Sequence, residues 1–146
     1  MNTQIHETPT RTNLNPEISL RQLVNQLIKA VHPLTGRYDS LVLNEIPREL
    51  TVTADANMLA YVLGSLINCA VTSTGHECVH VEAVMADDRT IIHVRDAGMY
   101  YYHTISHQYR QVQYMAEKLG GCISIQNNNE YGTNVTFSLS NHSLAA

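Results

Sequence analysis

The chain has 146 residues, of which 44% are hydrophobic and 15% charged, and its formal net charge is −4. This length fits one domain with its own core, and the composition is that of a globular protein. No cluster of Lys and Arg offers a surface for nucleic-acid phosphates, and no apolar run approaches the ~18 residues of a membrane span. We therefore expect a soluble, cytoplasmic protein that binds neither nucleic acid nor membrane.

Residues 1–15 are polar and are expected to form a flexible lead-in. A single domain is expected over residues 16–141, followed by a short tail over residues 142–146. The initial Met and the lack of a tag favour a complete gene product over a fragment. The three cysteines have no CxxC spacing, so we expect them to be buried, reduced thiols.

The first helix is expected to begin after Ser19, which forms an S-x-x-Q capping box with Gln22. Apolar residues then recur at three- and four-residue steps, which is typical of an amphipathic helix. The pair His32-Pro33 is expected to end this helix, because the residue before a proline avoids helical geometry. Two short strands are predicted over residues 40–46 and 49–53.

The second helix is expected to be capped by Asp55 and to stop near Gly75. Its apolar residues form one continuous stripe. Residues 78–86 and 90–95 then alternate between apolar and polar side chains on either side of the polar turn 87–89. This pattern predicts a β-hairpin.

The third helix is predicted over residues 106–119, with Gly120 as its left-handed stop. A last hairpin is predicted from residues 122–126 and 133–139. The order α, β, β, α, β, β, α, β, β favours helices packed on one face of a sheet. The expected fold is an α/β (α+β) two-layer sandwich, with a mixed, mostly antiparallel sheet of about five strands and three helices on one face.

Four stretches carry a resemblance to a known family. Residues 63–70 read LGSLINCA on the second helix, residues 96–98 read DAG, residues 120–121 are a glycine pair and residues 132–139 form the closing strand. In this order and spacing they resemble the catalytic, ATP-binding domain of sensor histidine kinases, a member of the superfamily shared with gyrase and the heat-shock chaperone ATPases. The resemblance covers about residues 18–140 and implies the same α/β sandwich.

On the second helix, histidine kinases typically carry the motif N-L-L-x-N-A, whose second Asn binds magnesium. Matching the apolar positions places Ser65 at the first Asn and Cys69 at the second. A neutral thiol is a poor ligand for Mg²⁺, which prefers oxygen. Asn68 lies one residue away, so its side chain is rotated by about 100° around the helix. We expect Cys69 to be a small, partly buried filler.

The resemblance implies that Asp96 and Gly98 belong to the family's D-x-G-x-G box, whose Asp accepts a hydrogen bond from the adenine amino group. Tyr100 replaces the second glycine, and its ring would occupy space that a nucleotide or lid needs. Thr133 on the closing strand is assigned to the same vestigial pocket. A simpler alternative is that Asp96 caps a strand end and Gly98 makes a turn.

The family's phosphate-binding glycines correspond to Ser106 and Gln108, and residues 101–105 leave little room for the usual mobile lid. The backbone cradle that phosphoryl transfer requires therefore has no visible source. The sequence favours a domain without catalysis. If the chain is an enzyme, the resemblance implies the ATP-binding domain of a histidine kinase.

Five of the eight tyrosines lie in residues 100–114, in place of the lid and the phosphate box. Because Tyr and Arg are favoured at binding surfaces, an interaction patch is predicted at Tyr101, Tyr102, Tyr109 and Arg110. The alternatives are a plug that fills the pocket and ordinary packing near a sheet edge. No catalytic residue and no metal site is predicted among the eight histidines.

Together these features predict a pseudokinase: a degenerate domain that acts as a protein-interaction or regulatory module in two-component signal transduction, without a cofactor. Its partner would be a kinase dimerisation domain, a response regulator or a second copy of the chain. The alternative is a divergent domain that binds ATP and Mg²⁺ and phosphorylates a His on a separate dimerisation domain or chain. A third possibility is a pocket reused for another small ligand.

Overall fold

The computed structural model describes residues 15–38, 40–74, 78–96, 102–128 and 132–141. Three helices and seven strands form within these residues. They are, in chain order, β1 (Glu17–Ser19), α1 (Leu20–Tyr38), β2 (Leu41–Asn44), β3 (Thr51–Thr53), α2 (Ala56–Thr74), β4 (Cys78–Ala86), β5 (Arg89–Asp96), α3 (Tyr102–Lys118), β6 (Gly121–Asn128) and β7 (Gly132–Ser140).

Five strands form the main sheet in the order β2-β4-β5-β7-β6. The edge strand β2 runs parallel to β4, and the other neighbours are antiparallel. The predicted mixed, mostly antiparallel sheet is therefore confirmed. A separate two-stranded sheet pairs β1 with β3 antiparallel. This small sheet was not predicted, because β1 is only three residues long and carries no alternating pattern of its own.

The helices cover one face of the main sheet. Inward residues of β5 are buried, whereas the outward residues between them are half-buried or exposed. The helix α2 packs against both α1 and α3 as well as against β4 and β5. Its apolar stripe explains this central position, because one continuous face can be buried along nineteen residues. Phe137, at the centre of β7, is fully buried beneath this layer.

The helix starts follow the predicted caps. The backbone N–H of Gln22 donates to Ser19 Oγ at 3.3 Å, and the N–H of Met58 donates to Asp55 Oδ1 at 3.1 Å. Each side chain thus satisfies one backbone donor that the helix itself leaves unpaired.

The predicted end of α1 at His32-Pro33 is wrong, because the helix continues to Tyr38 with Pro33 inside it. A proline removes one backbone donor from a helix but does not by itself prevent the next turn. Thr35 is buried in that turn, and its hydroxyl donates to the His32 carbonyl at 2.8 Å. Tertiary contact therefore overrides the local preference.

The joint between α3 and β6 uses two glycines for different reasons. Gly120 has a φ of 84°, which confirms the predicted left-handed stop. Gly121 has no room for a side chain: a Cβ there would clash with the carbonyl oxygen of Ser138 and lie 2.8 Å from Phe137 Cε1. At its other end α3 begins at Tyr102, four residues earlier than predicted.

The cysteines are free thiols. Cys69 is half-buried, whereas Cys78 and Cys122 are exposed, so the expectation of burial is wrong for these two. Both lie on strands, and their neighbours Val79 and Ile123 point inward. Because side chains alternate along a strand, the thiols must point outward.

The predicted lead-in over residues 1–15 and the tail over residues 142–146 lie almost wholly outside the described residues. These boundaries stay predictions. None of the helices in the described ranges has the length and hydrophobicity that crossing a membrane requires.

Candidate functional site

A pocket of about 260 Å³ lies between α2 and α3, above the inner face of β6 and β7. The lining residues are Tyr61, Ser65, Leu66, Asn68, Cys69, Tyr109, Gln111, Val112, Ile125 and Val135.

Three predicted site residues, Ser65, Asn68 and Cys69, come together on the α2 wall. Ser65 and Cys69 are four residues apart and therefore share one face of the helix. Asn68 is exposed on the ridge of α2, where it borders both the pocket and a groove toward α1. The helix runs from Ala56 to Thr74 with no break that would turn Asn68 toward the pocket floor.

The pKa of the Cys69 thiol is raised above its ordinary value. Burial raises its pKa, and the negative charge of Asp96 raises that pKa further. Both effects disfavour the thiolate, because the buried side chain loses water and faces a like charge. The pocket wall thus presents a protonated sulfur at the position that the resemblance assigns to the magnesium ligand.

Asp96 and Thr133 lie next to the pocket rather than on its surface. They are directly opposite each other in the β5–β7 pairing, and their exposed fractions are only 4% and 2%. The hydroxyl of Thr133 donates to Asn127 Oδ1 at 2.9 Å. Both predicted residues therefore occupy the buried sheet beside Cys69.

The predicted tyrosine-rich patch divides at α3. Tyr109 forms part of the pocket wall, and its hydroxyl donates to the carbonyl of Ile123 at 3.1 Å. Arg110, the next residue, is exposed and borders a different groove on the outside of α2 and α3. Adjacent helical residues point about 100° apart, which separates the two side chains.

The remaining predicted residues lie outside the described ranges. These are Gly98, Tyr100 and Tyr101. Tyr102 is the first residue of α3, and its side chain is likewise outside the description, as are those of Ser106 and Gln108.

Several lining residues were not predicted. Tyr61 precedes Ser65 by four residues and Cys69 by eight, so its place on the same helical face was readable from spacing. Gln111 offers no such signal. Ile125 and Val135 are directly opposite each other on paired strands. Only the register of that hairpin brings them together under the helices.

In the part of the pocket that the structure describes, the α2 wall is poor in oxygen ligands for Mg²⁺. The α2 wall offers one hydroxyl, one amide and a protonated thiol, whereas Mg²⁺ requires a near-octahedral set of oxygens. Among the described residues, no group of three His, Cys, Asp or Glu side chains could hold a metal ion. The volume also lies below the ~300–1,000 Å³ usual for drug-sized ligands.

Neither a protein-family model nor a curated protein matches the chain. Solved structures do match. The histidine kinase AdeS of Acinetobacter baumannii is 15% identical, with a TM-score of 0.76, and the match covers 87% of this chain and 67% of that one. The nucleotide-free catalytic domain of the histidine kinase ThkA is 16% identical, with a TM-score of 0.74 and coverage of 90% and 99%.

Two further matches are complexes. Full-length ShkA with AMPPNP is 16% identical, with a TM-score of 0.75, over 91% of this chain and 32% of that one. ThkA bound to the response regulator TrrA is 17% identical, with a TM-score of 0.74, over 89% and 43%. At these identities the likeness concerns the fold. The chain has the fold of histidine kinase catalytic domains, which confirms the resemblance read from its motifs.

Proposed function

We propose that this domain is a pseudokinase: a non-catalytic member of the histidine-kinase-like fold that acts as a protein-interaction or regulatory module in two-component signalling. The fold supports the first half of this proposal. The chemistry of the pocket supports the second, since a fold alone does not determine function.

The observation that carries the proposal is the state of Cys69. Magnesium-assisted phosphoryl transfer needs hard oxygen ligands that place the metal between the phosphates. Cys69 offers sulfur instead of oxygen, and burial and the charge of Asp96 raise the pKa of its thiol, so at neutral pH it supplies neither oxygen nor negative charge. Asn68 also borders the pocket, but it lies on the exposed ridge of an unbroken helix, about 100° around the axis from Cys69.

The partner is proposed to be a protein of the same signalling pathway in the cytoplasm. ThkA, whose catalytic domain shares the fold, is seen in complex with a response regulator. For this chain the candidates are a kinase dimerisation domain, a response regulator and a second copy. No cofactor is required for a role of this kind.

Thermal unfolding with nucleotides tests the proposal. The purified chain is heated with ATP, ADP or AMPPNP, each with and without Mg²⁺, and with adenosine alone. A ligand at 100 times its Kd adds about 2.7 kcal/mol of stability. We expect no magnesium-dependent shift. A shift that requires Mg²⁺ would overturn the proposal, and one with adenosine alone would indicate a pocket reused for a small ligand without phosphates.

The substitution Cys69→Asn sharpens this test, because it supplies the missing oxygen ligand. We expect a weak, magnesium-dependent stabilisation by ATP, about 1 kcal/mol at a free concentration five times Kd. The matched control is Cys122→Asn on the outer surface of β6, which should gain none. An equal gain in both variants would show that Cys69 is not the obstacle.

The second candidate is a divergent ATP-binding domain that uses ATP and Mg²⁺ and phosphorylates a His on a separate domain or chain. The burial of Asp96 beside the pocket favours it, since a buried carboxylate is suited to reading an adenine amino group. ShkA, with the same fold, was solved with AMPPNP. The magnesium arm of the unfolding experiment separates the two candidates.

A further inference from the structure

The charges of this chain are segregated between its two layers. By sequence, the three helices contain five of the nine Lys and Arg residues but only one of the thirteen Asp and Glu residues. The helix layer therefore has a formal charge of +4, and the rest of the chain has −8. The helix layer of this acidic protein is thus basic by formal charge.

The central helix of this layer, α2, is uncharged. The nineteen residues of α2 include no Asp, Glu, Lys or Arg. Its outward side carries Tyr61, whose side chain is 41% exposed. Tyr61 borders the pocket, a groove of about 420 Å³ between α1 and α2, and a groove of about 360 Å³ between α2 and α3. We call the last of these the α2–α3 groove.

The α3 wall of the α2–α3 groove is formed by Arg110, Gln111, Tyr114 and Met115. Arg110, Tyr114 and Lys118 are spaced by four residues, so they lie above one another on the same face. Tyr114 is 58% exposed, and Lys118 Nζ lies 5.0 Å from the centroid of its ring. The groove surface is mainly apolar, Arg110 lines it, and Lys118 adds a second cation beside Tyr114.

The one acidic residue of the helices does not neutralise these cations. Glu117 accepts a hydrogen bond from Gln113 Nε2 at 3.1 Å, and Gln113 Oε1 accepts from the backbone N–H of Ile123. This chain of bonds holds Glu117 toward β6. Within the described residues, no carboxylate forms an ion pair with Arg110 or Lys118.

We propose that the α2–α3 groove is a docking site for an acidic amphipathic helix of a partner protein. A groove between two helices fits the apolar face of a third helix. Exposed Tyr and Arg are the residue types that dominate binding energy at such sites. Arg110 and Lys118, which have no ion pair within the described residues, favour a partner with Asp or Glu beside its apolar stripe and disfavour a basic one.

This inference deepens the proposed function, because it names the surface and the chemistry of the partner. It does not depend on the nucleotide pocket being inactive. The groove lies on the solvent side of α2 and α3, whereas Cys69 and Asp96 lie toward the sheet. The groove and the pocket share Tyr61 and Gln111, but peptide binding and nucleotide binding are measured separately, so a magnesium-dependent nucleotide shift would overturn the proposed function and leave the docking site to the peptide experiment.

A helical peptide selection tests the docking site. A library of 18-residue helices, each about 27 Å long, is displayed on phage. One face of the helix and its flanks are randomised. The library is selected on the wild-type chain and counter-selected on the Tyr61→Ala/Arg110→Glu double variant. We expect enriched peptides with an apolar or aromatic stripe flanked by Asp and Glu.

Synthetic versions of the enriched peptides are then titrated calorimetrically against single variants. Tyr61→Ala is expected to weaken binding by about thirtyfold, the loss typical of a central aromatic contact. Arg110→Glu is expected to weaken it by about tenfold and to reduce its dependence on salt. The matched control Arg48→Glu, at an exposed arginine between β2 and β3, should change affinity by less than about twofold.

Three outcomes would overturn the docking site. The first is enrichment of neutral or basic peptides, or of none above the counter-selection. The second is equal binding of the peptides by the wild type and by Arg110→Glu. This outcome can be measured even if Tyr61→Ala fails to fold. The third is a wild-type dimer in sedimentation that Tyr61→Ala dissociates, since the occupant would then be a second copy.

Discussion

The two faces of β5 place ionisable groups in different surroundings. The inner face ends in Asp96, which is 4% exposed and acts on the thiol of Cys69. The outer face carries His93 and Arg95 at the protein surface. Arg95 forms an ion pair with Glu82 across the β4–β5 ladder, and His93 Nδ1 lies 3.1 Å from Thr136 Oγ1. The same strand thus holds a buried charge on one side and paired, hydrated groups on the other.

This difference teaches that burial, rather than residue type, decides what a carboxylate does here. On the inner face there is little water to screen Asp96, so its charge raises the pKa of the neighbouring thiol. On the outer face water screens each charge, and the carboxylate of Glu82 is neutralised locally by Arg95. Function should therefore depend on the inner face, and the outer face should affect stability only slightly.

The largest expected effect is on the free energy of unfolding, and it tests how tightly the inner face of the sheet is packed. Gly121→Ala introduces a methyl group against the Ser138 carbonyl and the ring of Phe137. We expect a loss of about 3 kcal/mol in the free energy of unfolding, the upper range for overpacking. Urea denaturation at pH 7 measures it.

The control for this substitution is Gly36→Ala in α1, where nothing lies within 4 Å of the added Cβ. We expect it to stabilise the protein by about 0.5–1 kcal/mol, because alanine favours a helix over glycine. Equal effects at the two glycines would contradict the close approach at Gly121.

The second prediction concerns the reactivity of Cys69. Only the thiolate reacts with iodoacetamide, and a raised pKa lowers the thiolate fraction at any pH below it. Two variants leave one of these thiols each: Cys78→Ser/Cys122→Ser keeps Cys69, and Cys69→Ser/Cys78→Ser keeps Cys122. We expect Cys69 to react more slowly than Cys122 at pH 8, and its rate should reach half-maximum above the ordinary thiol pKa of 9.0.

Replacing the neighbouring charge separates the two causes of this shift. Asp96→Asn removes the smaller, electrostatic contribution and leaves burial in place. Cys69 should then react faster than before but still more slowly than Cys122. A rate for Cys69 equal to that of Cys122 at pH 8, with Asp96 intact, would refute the neutral thiol.

The smallest expected effect is on the outer face. The hydrogen bond from Arg95 is the main cause of a lowered pKa at Glu82. In acid the unfolded state therefore binds more protons than the folded state. The stabilisation by the Glu82–Arg95 pair is fully present above the pKa of Glu82 in the unfolded chain, about 4.5, and it is lost as the pH falls through the pKa in the folded chain. Glu82→Gln should cost at most about 1 kcal/mol at pH 7, because both side chains are partly exposed.

Denaturation curves measured from pH 7 to pH 3.5 check this direction of the pH dependence. The free energy of unfolding of the wild type should fall more steeply in acid than that of Glu82→Gln, so the two curves converge. The control is Glu49→Gln, at an exposed carboxylate without an ion pair in the described residues. An acid slope in Glu82→Gln as steep as in the wild type would contradict the assignment.

Much of the fold was readable from the chain. Periodicity located all three helices, and the caps at Ser19 and Asp55 marked the start of two of them. Polar turns located both hairpins of the main sheet. The failures were nonlocal: α1 runs past Pro33 because Thr35 is buried, and β1 forms because β3 pairs with it.

The candidate site was likewise predictable only in part. Spacing along α2 predicted that Ser65 and Cys69 share a face, and motif order predicted that Asp96 lies near them. Neither indicated that Tyr109 would turn into the wall while Arg110 turned outward. That division depends on how α3 rotates over the sheet.

The sequence by itself determined the elements, their order and the presence of a thiol rather than an amide at Cys69, because these depend on residues close together along one helix or strand. Only the tertiary structure decided that burial and Asp96 raise the pKa of the Cys69 thiol and that Arg110 of α3 borders an uncharged helix. Both properties depend on which distant groups come close and on how much water remains between them, and no local pattern encodes either.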